Sequence, residues 1–273
     1  MDFYQKIFDR TVYQKQRNGD WPIMNVGIGP QFICPIPYAP GTPPEKRMVH
    51  HTCVHMKNFD PVKAVEILKQ MGLKGFANPR KAAEQIPVGT VDTPEMGFVD
   101  FDGIFLQIQD ATYCGGTGYL GEVCNIIPAN RRKAPLVVRS INSVQMHVSN
   151  VDRTMALYEK VFGYKVRTRQ AKDAVPVMTV GNGPQHFSLH EGSTIGHHFT
   201  LGIENFDPER VMKSLKALGV PAELTMRLAA DQRPIVEDAK DMPVITVVDP
   251  DGVVIAIADW RNAGGGGPIG AII

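Results

Sequence analysis

Eight histidines supply the side chain best suited to exchanging a proton near neutral pH. His147 lies in the alternating stretch "INSVQMHV" (141–148), which as a strand sets Ser143, Gln145 and His147 on one face. His190 ends "HFSLH" (186–190), two residues from Ser188 and on its face. His198 lies in "HHFTLGI" (197–203). If their strands are neighbours, these side chains form one polar lining; otherwise they are scattered surface and packing groups. Such a lining removes a proton from carbon beside a carbonyl, the step shared by isomerisation, epimerisation and C–X cleavage. His51 and His55 also share a face, but four strand residues span roughly 13 Å, too far for both to hold one ion. The adjacent pairs His50–His51 and His197–His198 turn one ring inward and one outward.

Other chemistries find little support. There is no Gly-x-Ser-x-Gly elbow and no zincin motif. "VGIGPQ" and "GTGYLG" are glycine-rich, but neither opens a helix after a strand as a dinucleotide site requires. Cys114 and Cys124 flank a Gly-rich loop, where reduced thiols are the default in a cytoplasmic setting. Asp110 and Asp259 end apolar stretches and read as groups that orient the following loop. With 29 Lys+Arg against 28 Asp+Glu, a net charge of +1 offers no footprint for nucleic acid. Arg131, Arg132 and Lys133 read as a solvated linker. No apolar run approaches the roughly 18–20 residues of a membrane span, and Met1–Arg10 lacks the regions of a secretory signal. A soluble cytoplasmic protein with a small-molecule partner is the expectation.

The elements that must position these residues come in two copies. "DFYQKIFD" (2–9) matches "ALYEKVFG" (156–163), and "VGIGPQ" (26–31) matches "VGNGPQ" (180–185). "KNFDPVKAVEILKQMG" (57–72) matches "ENFDPERVMKSLKALG" (204–219), and "VDFDGIFLQIQD" (99–110) matches "VDPDGVVIAIAD" (248–259). Four blocks in one order, at offsets of 147 to 154, mark a duplication too long for a solenoid. The chain divides into a first domain (1–124), a linker (125–139) and a second domain (140–273). In the second copy a strand leads to a helix with Asp152 as expected N-cap and Met155, Tyr158 and Phe162 at helical spacing. Three short strands follow, and the pattern restarts with a helix capped by Asp207, with Pro208 in its first turn and Gly219 at its end. The order is strand, helix, three strands, twice over.

A "VxDPDGxxxxIxD" turn-and-strand after a capped "ENFDxxxxxxxLxxxG" helix resembles the vicinal oxygen chelate superfamily of glyoxalases, bleomycin-resistance proteins and extradiol dioxygenases. The resemblance covers nearly all of both copies. It implies an α+β fold of two tandem glyoxalase-like domains, each made of paired βαβββ units that curl into a cupped mixed sheet. It also implies that metal ligands come from the first, fourth, fifth and eighth strands of a domain. In the second domain those positions fall on Ser143, Ser188, His198 and Ala256, which do not make a standard divalent site. In the first domain Cys34, His51 and Gln107 correspond to the last three. His51 and Gln107 are then two candidate ligands of a weakly bound divalent metal, or polar groups gripping an organic substrate. His198 and His51 are the candidate catalytic residues. Ser143, Gln145, His147, Ser188, His190 and Gln107 are candidate substrate contacts.

Three functions follow from the resemblance: an isomerase- or lyase-like enzyme acting on a carbonyl or aromatic compound, a ligand-sequestering protein, or an extradiol dioxygenase. The last needs two histidines and a glutamate in one cup. The first domain begins inside its first helix, so its first strand is missing. The open sheet edge left behind is expected to be covered by a second subunit in a homodimer, or by the tail with Ile269, Ile272 and Ile273.

Overall fold

The computed structural model describes residues 1–10, 12–16, 21–27, 31–43, 47, 49–56, 60–78, 94–110, 133–170, 175–181, 185–192, 196–227 and 242–261. Cys114, Cys124, the Gly-rich ends and the tail isoleucines lie outside the described residues, as does the side chain of His197. Among the described residues no helix is long and apolar enough to cross a membrane.

The first half runs α1 (Asp2–Ile7), β1 (Val12–Gln16), β2 (Trp21–Asn25), β3 (Phe32–Ile33), β4 (His51–Met56), α2 (Pro61–Gln70), β5 (Gly75–Asn78), β6 (Glu95–Val99) and β7 (Phe105–Asp110). The second half begins with β8 (Val138–Val148), α3 (Val151–Phe162), β9 (Val166–Gln170), β10 (Val175–Thr179) and β11 (His186–Glu191). It continues with β12 (Gly196–Ile203), α4 (Pro208–Ala217), β13 (Ala222–Arg227), β14 (Met242–Val248) and β15 (Val254–Asp259). The second half therefore shows the βαβββ order twice.

Its eight strands form one sheet, β13–β14–β15–β12–β8–β11–β10–β9, in which β8 joins the two units. β8 runs antiparallel to β12 on one side and parallel to β11 on the other. The first half has no counterpart of β8 among its described residues. There the sheet is in two pieces, β1–β2–β3 and β4–β7–β6–β5, and among the described residues β4 pairs only with β7.

Local chemistry sets the helix ends. Asp60 and Asp207 accept backbone N–H bonds from the turns they open, each followed by proline at the first helical position. For α3 the N-cap is Asn150 rather than the expected Asp152: Asn150 is extended and its Oδ1 accepts from Arg153 N at 2.9 Å. Asp152 already lies in the first turn, where its charge suits the helix dipole.

The two cores are crossed between the halves. One gathers Leu68, Met96, Phe98 and Leu106 of the first half with Met146, Leu157, Tyr158 and Phe187 of the second. The other sets Tyr4, Ile7 and Phe8 against Leu201, Val211, Leu215 and Ile257. Each half's first helix thus lies in a core shared by strands of both halves: Tyr158 packs on Phe187 of its own half, and Met24 and Val26 join Tyr4 and Ile7. Two matching hydrogen bonds tie the halves. Tyr158 Oη donates to Asp100 Oδ2 at 3.1 Å, and Tyr4 Oη donates to Asp249 Oδ2 at 2.9 Å. Both aspartates nucleate the tight turn before their domain's last strand: Oδ1 of Asp100 accepts from Asp102 N and Ile104 N, and that of Asp249 from Asp251 N and Val253 N.

Candidate functional site

The four strands that the resemblance singles out, β11, β8, β12 and β15, are consecutive neighbours in the large sheet. Alternation sends Val144, Met146, Phe187 and Leu189 into the core, so Ser143, Gln145, His147, Ser188 and His190 share the opposite face. Register then sorts them into rows. Gln145 stands between Ser188 on β11 and His198 on β12. His147 stands beside His190, with Gly196 across from it. Ser143 lies between His186 and Thr200, and Thr200 is also paired with Ala256.

The structure brings the expected lining together. The His147 ring stacks on His190 at 5.1 Å and lies 5.3 Å from His198. His198 Nε2 meets Gln145 Oε1 at 2.8 Å. An amide oxygen only accepts, so this nitrogen carries the proton and Nδ1 is the acceptor nitrogen of the ring. Thr200 Oγ1 accepts from Ser143 Oγ at 2.9 Å and from Gln145 Nε2 at 3.4 Å, which commits its own hydrogen to donation. His190 Nε2 is 3.3 Å from Ser188 Oγ. Burial first, and then the His147 ring beside it, pushes His198 down to about 4. Burial also lowers His147. Near neutral pH both are uncharged bases. Thr200 and the buried His186 were missed in the sequence. Alternation back from Ser188 points to His186, but Thr200 needs the cross-strand register.

In the first half, β4, β7 and β6 form a second polar face. His51, Cys53 and His55 alternate with core-facing Val54, and Gln107 and Gln109 alternate with Leu106 and Ile108. Glu95 sits beside Gln109 on β6. Both amides donate to Glu95 Oε2, Gln107 at 2.8 Å and Gln109 at 2.6 Å. His51 is hydrogen-bonded to Gln107. Burial, then His50, lowers His51 to about 4, against the opposing bond from Gln107. His50 is exposed but meets His51 Nδ1 to Nδ1 at 2.7 Å, and both rings lie against Phe105, so this adjacent pair is not split between two faces as alternation implied; His50 precedes β4 and escapes its alternation. Burial lowers His55, with Asp110 acting the other way, and raises the thiol of Cys53. Cys34 falls just past β3, its thiol raised to about 11 by burial. Glu95 and Gln109 went unremarked in the sequence because only pairing puts them beside Gln107. Asp259 bonds Arg261 through both backbone N–H and guanidinium, so it shapes the chain after β15.

A divalent ion does not suit the second cup at the positions the resemblance implies. The row Ser143–Thr200–Ala256 offers two hydroxyls and a methyl, and His198 is one row away beside Gln145. In the first cup Gln107 is tied to both His51 and Glu95. Among the described residues no three His, Cys, Asp or Glu are grouped to hold a metal.

No protein-family profile matches the chain, and no curated relative matches it. Solved structures do. A halotolerant catechol dioxygenase, BphC, is 14% identical with a TM-score of 0.61, over 98% of this chain and 82% of that one. A Mn(II)-bound glyoxalase from Novosphingobium aromaticivorans is 13% identical with a TM-score of 0.63, over 95% and 76%. A catechol 2,3-dioxygenase is 11% identical with a TM-score of 0.61, over 99% and 84%. The likeness is one of fold: the tandem, paired βαβββ architecture of vicinal oxygen chelate proteins.

Proposed function

We propose that this chain is a small-molecule enzyme whose second cup moves a proton on an oxygenated substrate, a carbonyl or aromatic compound, in isomerase- or lyase-like chemistry. The observation that carries this reading is the oriented pair of His198 and Gln145 inside a cluster of three histidine rings. Gln145 fixes the tautomer, so His198 Nδ1 accepts the proton from carbon beside the carbonyl. Thr200 and the neighbouring imidazoles donate to the oxygen that gains charge. His51 is the corresponding candidate in the first cup. Burial and the neighbouring His50 give it the same neutral state, against the bond from Gln107.

The test is exchange of substrate α-protons with deuterated water, followed by NMR over a panel of enolisable carbonyl and catechol compounds. His198→Ala should slow exchange by about 100-fold or more. Gln145→Glu should move the acidic limb of the pH profile upward, because a carboxylate beside the ring favours imidazolium. Undiminished exchange in both His198→Ala and His51→Ala rejects the reading. A ligand-sequestering protein is the second reading, favoured by the hydroxyl and methyl groups in the row Ser143–Thr200–Ala256. Tight binding without exchange would establish it. A tightly bound metal is not part of either reading; a weak divalent site at His51 and Gln107 is the remaining option. The dioxygenases among the neighbours suggest ring cleavage, but neither cup gathers two histidines and a glutamate among the described residues.

A further inference from the structure

We propose that the first cup is a separate binding site for a planar, positively charged ligand bearing N–H donors, of the amidine or aminoaromatic class. Its deepest row is Glu95, Gln109 and His55, side by side on β6, β7 and β4. Gln109 is only 4% exposed, and its amide nitrogen is spent on Glu95. Its carbonyl oxygen has no hydrogen-bond partner. Buried acceptors in that state are uncommon, and each asks for a donor. Gln107 likewise gives its amide nitrogen to Glu95. The two glutamines are thereby held with their donors turned to the carboxylate; the Gln107 oxygen is taken by His51, which leaves the Gln109 oxygen beside Glu95 as the acceptor that lacks a donor.

The wall beside these groups is aromatic. Phe76 and Phe105 stack at 6.3 Å and 27°, across Gly97. A β-carbon on Gly97 would lie 2.5 Å from the Phe76 ring and 2.8 Å from that of Phe105, so glycine is what lets both rings settle over the strand. Phe76 is 48% exposed, which leaves ring surface for a flat ligand. A cation on an aromatic face beside a carboxylate is favoured on both counts. His51 and His55, both lowered by burial, add no opposing charge near neutral pH. A carboxylate ligand would meet Glu95 and find acceptors where it needs donors.

Titration calorimetry with benzamidine and with benzoate tests the assignment. Benzamidine should bind the parent chain, and Phe76→Ala and Glu95→Gln should each weaken it by about ten-fold. Benzoate should not bind, and His198→Ala in the other cup should leave benzamidine affinity unchanged. Far-UV circular dichroism confirms that each variant is folded, and Phe76, being half-exposed, is the substitution least costly to the fold. The proposal is overturned by any of three results: no benzamidine binding by the parent, equal binding of benzoate, or affinity untouched by both first-cup substitutions. Loss of binding in His198→Ala would also overturn it, since the ligand would then sit in the second cup.

Discussion

Tyr158→Phe removes one oxygen from the clasp between the halves and leaves the volume of the ring in place. No cavity opens, so the cost is that of the hydrogen bond alone. Tyr158 is fully buried, and its hydroxyl serves Asp100 Oδ2 at 3.1 Å and touches Met146 Sδ at 3.1 Å. Asp100 keeps its two backbone donors, but both go to Oδ1. The other oxygen loses its donor from the tyrosine inside a core, so the loss belongs in the range for bonds to charged groups, about 1.5–3 kcal/mol. For a chain of this size that lowers Tm by about 3–6 °C. Tyr4→Phe breaks the matching bond to Asp249 nearer the surface, where water replaces part of it, and should cost about 1 kcal/mol. The clasps belong to separate cores, so the double variant should show the sum of the two losses to within about 0.5 kcal/mol. The deficit also depends on pH. Burial raises the Asp100 pKa while the tyrosine bond opposes that rise. Removing the bond raises the pKa further, so the Tyr158→Phe deficit is full at neutral pH and shrinks as acid protonates Asp100. Thermal melts by circular dichroism at several pH values give all these quantities. A Tm within a degree of the parent, or a larger loss for Tyr4→Phe than for Tyr158→Phe, would refute the reasoning.

His198 and His51 are held near a pKa of about 4 in the folded chain, below the ordinary histidine value of 6.5. The unfolded chain then binds more protons between those values, so their contribution is complete above about pH 6.5 and is lost as pH falls toward 4. The double variant His51→Asn, His198→Asn should flatten denaturant midpoints across that window, and an unchanged slope would count against the assignment. Elemental analysis should find no stoichiometric metal in the second cup, whereas Ser143→His, Thr200→His, Ala256→Glu sets two histidines and a glutamate in one row and should gain a divalent ion. Metal in the parent that disappears with His198→Ala would contradict this. The edge of β4 away from β7 has no partner strand among the described residues, and we expect a homodimer by light scattering. Hydrogen exchange of the β4 amides tests the same point, with slow exchange in the dimer expected and rapid exchange in a monomer with a bare edge as the opposing result.

Much of the fold was legible in the sequence because the duplication repeats its signals: capped helices with proline at their start, and an aspartate turn before each last strand. Tyr4 and Tyr158 even align within the matched helical blocks. What the alignment could not show is that each first helix joins a core shared with the other half, since similarity between copies is the same whether or not the halves share their cores. The site was half legible. Alternation placed Ser143, Gln145 and His147 on one face, and Ser188 with His190 on another. Thr200, Glu95 and Gln109 depend on which residue stands opposite which, and strand register is settled by tertiary pairing. Asn150 displaced Asp152 as a cap because the helix starts two residues earlier than its charge pattern suggested.

The crossed clasps bear on ancestry. In this geometry a chain of one repeat, carrying the same tyrosine and the same aspartate turn, would close both clasps only against a twin, each giving its tyrosine to the other's aspartate, which is the logic of a two-fold pair. Fusing two copies end to end turns that partnership into an internal one, with no dependence on concentration. It also frees the two cups from being identical, since the reciprocal anchoring lies on the opposite face of each sheet. One cup can gather histidines and the other a carboxylate flanked by amides while the shared scaffold stays symmetric.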